Sequence, residues 1–416
     1  MTRAEILGGK SVLKGAQVDS PELEMLVCCA RTEPGPECTT RVHQLLESGL
    51  DWSVVLELAD RHRLTPLVYR QMSRIAPELL QQPALSLLVF RARSVAARNL
   101  QLTQELLRLL DMLDKHQIPA IPIKGPLLAI SAFGNVAWRE FGDLDILVRR
   151  ADINRAMTII SKTGYEPERE LTRGQKIAYL RSEHAFQYRR NGGQFIVELH
   201  WRLQDRYLSF PFDEDELWNT ATATNLFGRR VQSLSANNLL LFLCMHGAKH
   251  YWERLEWISC LPAVMRAESS LDWSAVIEQA RRMGGLRILQ LGLLLAHDLD
   301  GSRYTEAPLR LIRVEPITKE LASMVWKKLG ANELAGSRRE VYRFRFFLNT
   351  RERLSDRVRV VWDASIRIPH PNSSLWQRTH LPAWLLFVYY FVSPMRLLRK
   401  YGLQGLRGVF RPNRIS

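Results

Sequence analysis

Apolar residues recur at helical spacing over residues 21–115. Val55, Leu56, Leu58 and Ala59 follow Leu50-Asp51-Trp52-Ser53, and Gln101 to Leu113 repeats the pattern. The phrase returns at Leu271-Asp272-Trp273-Ser274, followed by Val276, Ile277 and Ala280, with eight of thirteen aligned positions identical. The simplest reading is a shared helix start, with Asp51 and Asp272 as N-caps and each leading Leu stapled to the Val five residues on. A tandem repeat is the alternative.

The period changes in the middle of the chain. Ile118 to Ile123 is a short β-prone run ending at Lys124-Gly125, and a helix-prone stretch from Leu127 to Phe133 follows. Leu144 to Val148 predicts a second strand, and Asp152 is expected to cap a helix to about Lys162, closed by Gly164. Ala185 to Arg190 and Gln194 to His200 flank Asn191-Gly192-Gly193, a turn that wants positive φ and so predicts a hairpin. Strand, helix, strand, helix and hairpin together make an α/β unit with a mixed sheet. Helical spacing resumes after Asn237, as one long helix or two over Leu239 to Ala267 and another over Leu286 to Leu299. The predicted fold is α+β: a helical N-terminal region 1–115, an α/β core 116–235, a helical domain 236–335 and a basic C-terminal region 336–416. That last region reads as partly helical, broken at Pro369-His-Pro-Asn-Ser-Ser374.

At ~150 residues per domain, 416 residues predict two or three packed units. With 46% hydrophobic and 24% charged residues, the chain is neither a disordered tail nor a disulfide-stapled scaffold. Five cysteines, odd in number and without metal-ligand spacing, read as reduced thiols in a cytosol. The net charge of +15 is concentrated: from Arg338 onward there are 16 basic residues against four acidic ones. That argues against a nucleic-acid groove over the whole protein and suits an anionic partner or a membrane surface for the C-terminal region. No apolar run follows Arg3, Lys10 and Lys14, so no signal peptide is expected. The expected location is cytoplasmic, with peripheral membrane contact as an option. Gly9-Lys10-Ser11 lacks the earlier glycine of a phosphate loop, because Ala4 stands there. Leu381 to Val392 holds Pro382 and is far short of the ~20 residues of a membrane span. It reads as an interfacial or buried helix.

The chemistry centres on Gly142-Asp143-Leu144-Asp145-Ile146-Leu147-Val148. In a strand, Asp143 and Asp145 share one face while Leu144 and Ile146 take the other. Two carboxylates so placed repel unless a cation sits between them, or they simply end a strand beside solvent. Lys124-Gly125 lies between a strand and a helix, where a glycine lets backbone approach a phosphate. Glu198 sits mid-strand in Val197-Glu198-Leu199-His200-Trp201, where a carboxylate is costly unless paired or metal-bound. If the hairpin joins the same sheet, Glu198 completes a three-carboxylate cluster.

These phrases resemble the nucleotidyltransferase superfamily with a DNA polymerase β-like palm. Within it, the chain is similar to the bacterial uncharacterised nucleotidyltransferases. The matching segments are Ile123-Lys124-Gly125-Pro126, Arg139 to Val148, Val197 to Trp201 and His246-Gly-Ala-Lys249-His250, with Arg61-His62-Arg63-Leu-Thr-Pro66 and the Leu-Asp-Trp phrases in the flanks. Two positions depart from the superfamily pattern: Pro126 follows the glycine, and the third carboxylate is Glu rather than Asp. The resemblance implies transfer of an NMP from an NTP to an acceptor hydroxyl through two Mg²⁺ (or Mn²⁺) ions. Asp143 and Asp145 would bridge the ions, Glu198 would act as ligand or base, and the Gly125 backbone would contact the phosphates. Lys124 and Arg139 would neutralise the pyrophosphate.

His246, Lys249 and His250 form a second candidate on one helix. They are expected either to pack that helix on the core or to contact triphosphate or acceptor; the Glu of a zinc-protease motif is missing. His200 shares a strand face with Glu198 and either orients a ligand or fills the sheet. Trp138, Trp201, Trp252, Trp257 and Trp273 could stack on a base, but most buried aromatics are core, and none is assigned to the site. A peptide or glycan of a tailoring pathway, or RNA, is the expected acceptor. The competing functions are an Asp-x-Asp glycosyltransferase, γ-phosphate transfer on the same palm, and a non-catalytic scaffold with a basic tail.

Overall fold

A computed structural model describes residues 20–204, 210–301, 304–330 and 337–359. The N-terminal stretch is helical, as the periodicity predicts: α1 (Pro21–Ala30), α2 (Pro36–Glu47), α3 (Trp52–Arg61), α4 (Thr65–Ile75) and the 30-residue α5 (Ser86–Lys115). Asp51 caps α3, its carboxylate accepting from the Ser53 N–H at 2.9 Å. The apolar stripe Leu102, Leu106, Leu109 and Leu113 of α5 is buried against the sheet.

The sheet has five strands in the order β1-β2-β5-β4-β3: β1 (Ala120–Pro122), β2 (Leu144–Val148), β3 (Glu166–Pro167), β4 (Ala185–Arg190) and β5 (Phe195–His200). It is mixed, because β2 and β5 run parallel while the other neighbours are antiparallel. Helix α6 (Gly125–Phe133) joins β1 to β2, and α7 (Ile153–Lys162) and α8 (Arg173–Ser182) follow β2 and β3. The predicted hairpin forms around Asn191, Gly192 and Gly193, all at positive φ. Asp152 stands at the N-cap of α7 but makes no side-chain cap; its carboxylate accepts from Arg155 at 2.8 Å instead. Helix α9 (Glu214–Asn219) precedes a second hairpin, β6 (Thr222–Leu226) and β7 (Arg229–Ser233), which the sequence reading did not foresee. Its turn is Phe227-Gly228 at φ 51 and 82, the positive pair such turns require, reached without the usual Asn or Asp.

The predicted run from Leu239 to Ala267 is two helices, α10 (Ala236–Lys249) and α11 (Leu255–Ala267), broken at Tyr251 and Trp252, both at positive φ. Then come α12 (Trp273–Arg282), α13 (Leu286–Asp300), α14 (Glu306–Leu311), α15 (Pro316–Gly330) and α16 (Ser337–Asn349). N- and C-terminal helices share one core, in which Leu26, Val55 and Leu67 belong with Leu240, Ile258 and Leu291. A second core, built on Leu144, Ile146, Val197 and Leu199, lies beneath the sheet. All five cysteines are buried thiols. Among the described residues no helix is long and apolar enough to cross a membrane. Gly9-Lys10-Ser11, the Pro369 loop and Leu381 to Val392 lie outside the described residues.

Candidate active site

Strand register builds the site. Asp145 on β2 is the direct neighbour of Glu198 on β5, and Leu147 of His200. Leu144, Ile146, Val197 and Leu199 are buried beneath, so the period-2 alternation turns the two carboxylates to the opposite face. His200, two residues on from Glu198, joins them. Its Nε2 lies 3.0 Å from Asp145 Oδ1 and 3.4 Å from Glu198 Oε2. Asp145, Glu198 and His200 each offer a ligand atom within 4.8 Å of the others.

The preceding turn closes the site from the other edge. The Ile123 N–H donates to the Asp145 carbonyl at 3.0 Å, so β1 ends beside the carboxylates. Lys124 follows, with Nζ 3.2 Å from Asp145 Oδ2. Gly125 opens α6 at φ +59, and a Cβ there would be only 3.6 Å from the Asp143 carbonyl, an ordinary contact. Glycine is needed for the left-handed backbone rather than for space.

Electrostatics sort the members. Burial alone would raise the Asp145 carboxyl, but Lys124 and the His200 hydrogen bond outweigh it and hold it well below the usual carboxylate range. Glu198 is lowered too, the His200 bond overcoming its burial. Asp143 moves the other way, raised first by the Asp145 charge and then by burial. Burial opposes charge on His200, yet the two carboxylates lift it to about 9. Lys124 is likewise raised, because Asp145, Asp143 and Glu198 offset its burial. Two internal cations thus face three carboxylates, which leaves one negative charge over.

That donor set could hold a metal ion: Asp145, Glu198 and His200 each present a ligand atom, and the raised Asp143 carboxyl marks a surplus of negative charge. The Asp143 carboxylate stands outside the tight three-residue group that Asp145 and Glu198 form with His200.

The remaining predicted residues surround this centre unequally. Arg139 is buried and paired with Glu256 of α11 at 2.6 Å, with Cys260 Sγ 3.5 Å from its Nε, so its charge is already matched within the protein. Its backbone carbonyl accepts from Asn99 at 2.8 Å. On α10, the rings of His246 and His250 lie 4.7 Å apart and both meet Trp257. Burial first, and nearby lysines after it, lower both histidines, His250 to about 3, and keep them neutral. Lys249 reaches His184 Nε2 at 3.5 Å, and the His184 ring packs on His200. His184 and Glu256 were not foreseen: neither stands in a motif, and only the tertiary contacts bring them here.

A family model described as uncharacterised nucleotidyltransferase matches residues 48–301. Among solved structures, the chain is similar to an antigenic nucleotidyltransferase-like protein from Paracoccidioides brasiliensis at 16% identity, covering 51% of this chain and 96% of that chain with a TM-score of 0.31. No curated protein matches. The family match takes in more than half of the chain and every member of the cluster just described, and on that ground the protein belongs to the uncharacterised nucleotidyltransferase family.

Proposed function

We propose that the protein transfers an NMP from an NTP to an acceptor hydroxyl on a polymerase β-like palm, the reaction typical of the superfamily. The observation that carries this is the cross-strand pairing of Asp145 with Glu198 beside the Lys124-Gly125 turn. Residues 116–235 would be the catalytic unit, with 1–115 and 236–335 as helical surrounds and 336–416 as a basic region that meets an anionic partner or membrane surface. The acceptor would be a peptide or glycan hydroxyl or an RNA end.

Two Mg²⁺ or Mn²⁺ ions, held by Asp143, Asp145 and Glu198 with His200 at their side, would supply charge neutralisation on the triphosphate and a lowered pKa for the acceptor hydroxyl. Glu198 takes the acceptor proton and passes it to solvent. The acceptor oxygen bonds to the α-phosphorus, the bond from that phosphorus to the β-bridging oxygen breaks, and pyrophosphate leaves with the electron pair. The α6 N-terminus at Gly125 faces the phosphates; Pro126 lacks an N–H, but the first helical N–H groups have no intrahelical partner to lose. Lys124 holds the carboxylates together before substrate arrives and neutralises phosphate charge afterwards.

A thermal melt with each of the four NTPs, in Mg²⁺ and in EDTA, tests this on wild type and Asp145→Asn. Nucleotide at about 100 times its Kd stabilises by ~2.7 kcal/mol, a shift of several degrees. A Mg²⁺-dependent shift that Asp145→Asn abolishes is expected; no shift with any NTP would refute the proposal. Label from α- but not γ-labelled NTP should appear on the acceptor, and the reverse would mean γ-phosphate transfer.

A further inference from the structure

The edge of the carboxylate site carries two arginines that the sheet does not supply. Arg63 follows the end of α3, and Arg254 immediately precedes α11. The histidine between these segments ties them together: His62 Nδ1 accepts the Leu255 N–H at 3.4 Å, and its Nε2 lies 3.2 Å from the Leu329 carbonyl. Burial, helped by Arg61, lowers His62 to about 4, so it stays neutral and can accept at one nitrogen while donating at the other. This joint brings Arg63 and Arg254 to one place, where each is within electrostatic reach of the other, of Asp143 and of Glu140.

Like charges held together need a reason. Three buried arginines are matched: Arg41 by Glu24, Arg139 by Glu256 and Arg287 by Glu315. Among the described residues, neither Arg63 nor Arg254 has a carboxylate at ion-pair distance. Arg254 instead lies over the Trp257 ring, 5.2 Å from its centroid, and that ring also packs on His246 and His250.

The backbone adds a separate observation. Arg63 sits at φ +53, a conformation that costs a residue with a Cβ. In the second copy of the Leu-Asp-Trp-Ser phrase, the aligned position is Gly284, at φ +68. The two helix–turn–helix joints have the same shape. The second uses the residue that suits it; the first keeps an arginine beside the carboxylates. Strain of this kind collects where a side chain serves a ligand.

We propose that Arg63 and Arg254 form an anion-binding jaw on the helical cap that grips the β- and γ-phosphates of the NTP and then the departing pyrophosphate, a role that rests on the nucleotidyl-transfer reading above. Guanidinium groups match phosphate oxygens in bidentate geometry, so a pair of them closes on a polyphosphate better than on a single phosphate. Glu140 lies within electrostatic reach of both arginines, and Glu256 of Arg254, without forming an ion pair with either.

The test is a calorimetric titration of the full chain with Mg²⁺ and each NTP, the matching NMP, and inorganic pyrophosphate, on wild type, Arg63→Gly and Arg254→Gln. Arg63→Gly suits the left-handed backbone and should keep or raise the melting temperature. Each variant should weaken NTP and pyrophosphate ~10-fold or more and leave NMP within about twofold, because only the polyphosphate loses charge-assisted bonds. NTP affinity unchanged in both variants, or NTP and NMP weakened alike, would overturn the jaw while leaving nucleotidyl transfer standing. A loss of stability in Arg63→Gly with no loss of pyrophosphate affinity would assign the arginines to Glu140 alone and overturn it too. Arg63-dependent pyrophosphate binding in a protein that takes no NTP would support the jaw and refute the nucleotide reading.

Discussion

At the residue scale, the site is defined by opposed pKa directions within one cluster. Asp143 is raised, so its folded-state ionisation is disfavoured: the stability tied to it is complete below the ordinary carboxylate pKa and lost as pH rises through the folded value. Asp143→Asn should therefore melt above wild type in EDTA at pH 7, converge with it toward pH 3, and fall below it in saturating Mg²⁺. A melt of Asp143→Asn at or below wild type in EDTA would mean that Lys124 and Arg63 already neutralise the carboxyl. His200 shifts the other way relative to its charge. Its folded pKa of about 9 exceeds the ordinary 6.5, so its contribution is complete below pH 6.5 and disappears as pH rises through 9. The groups facing it are Asp145, Glu198 and the His184 ring. A metal ion competes with that proton, so Mn²⁺ affinity should climb between pH 7 and 9 with proton release. In His200→Asn the slope should flatten, which calorimetry in two buffers of different ionisation heat would detect.

At the element scale, the break between α10 and α11 decides what the histidine phrase can do. Gly247 is where Trp252 folds back on α10, and a Cβ there would come within 2.4 Å of the indole. Trp252 itself is fully buried. Gly247→Ala should cost ~1–3 kcal/mol by overpacking and lower the melting temperature by several degrees. Gly49→Ala, at φ +78 with open space around it, carries only the backbone penalty and is the control. A Gly247→Ala loss no larger than that of Gly49→Ala would mean that the indole gives way and overpacking does not set the cost. The repeated Leu-Asp-Trp-Ser phrase is explained at this scale too: both copies begin a helix on an Asp N-cap, Asp272 accepting from Ala275 at 3.0 Å, and both end in a left-handed residue before the next helix. Asp152 shows how the same rule fails, since a neighbouring Arg155 guanidinium competes for the carboxylate that would have capped α7.

At the scale of the whole molecule, the sheet and the helical cap are bound through a buried charge. Arg139 and Glu256 are 2.6 Å apart, and both are nearly excluded from water. Removing one partner strands the other, so Glu256→Gln should lose ~3–5 kcal/mol in a urea melt, whereas Arg139→Met with Glu256→Leu should recover most of it. Independent losses that simply add would show that the two do not act as a pair.

Much of this was legible in the sequence because it is local. Strands β2 and β5, the hairpin turn, the α5 stripe and the Asp51 and Asp272 caps follow from period, turn residues and capping chemistry within a few positions. The presence of Glu198 in an apolar strand is equally local, whereas Asp143, expected to share a strand face with Asp145, lies just ahead of β2, which begins at Leu144. Other features needed the folded chain. Parallel pairing sets Glu198 beside Asp145 and brings His200 to both, and no spacing in the sequence encodes register between segments more than fifty residues apart. The commitment of Arg139 to Glu256, the contact of Lys249 with His184, and the meeting of Arg63 with Arg254 through His62 join distant helices. The sequence by itself determined which residue types stand on each element and which face they share. Only the tertiary structure decided which charges meet, because burial and proximity of distant segments, not composition, set the energy of a carboxylate, an imidazole or a guanidinium.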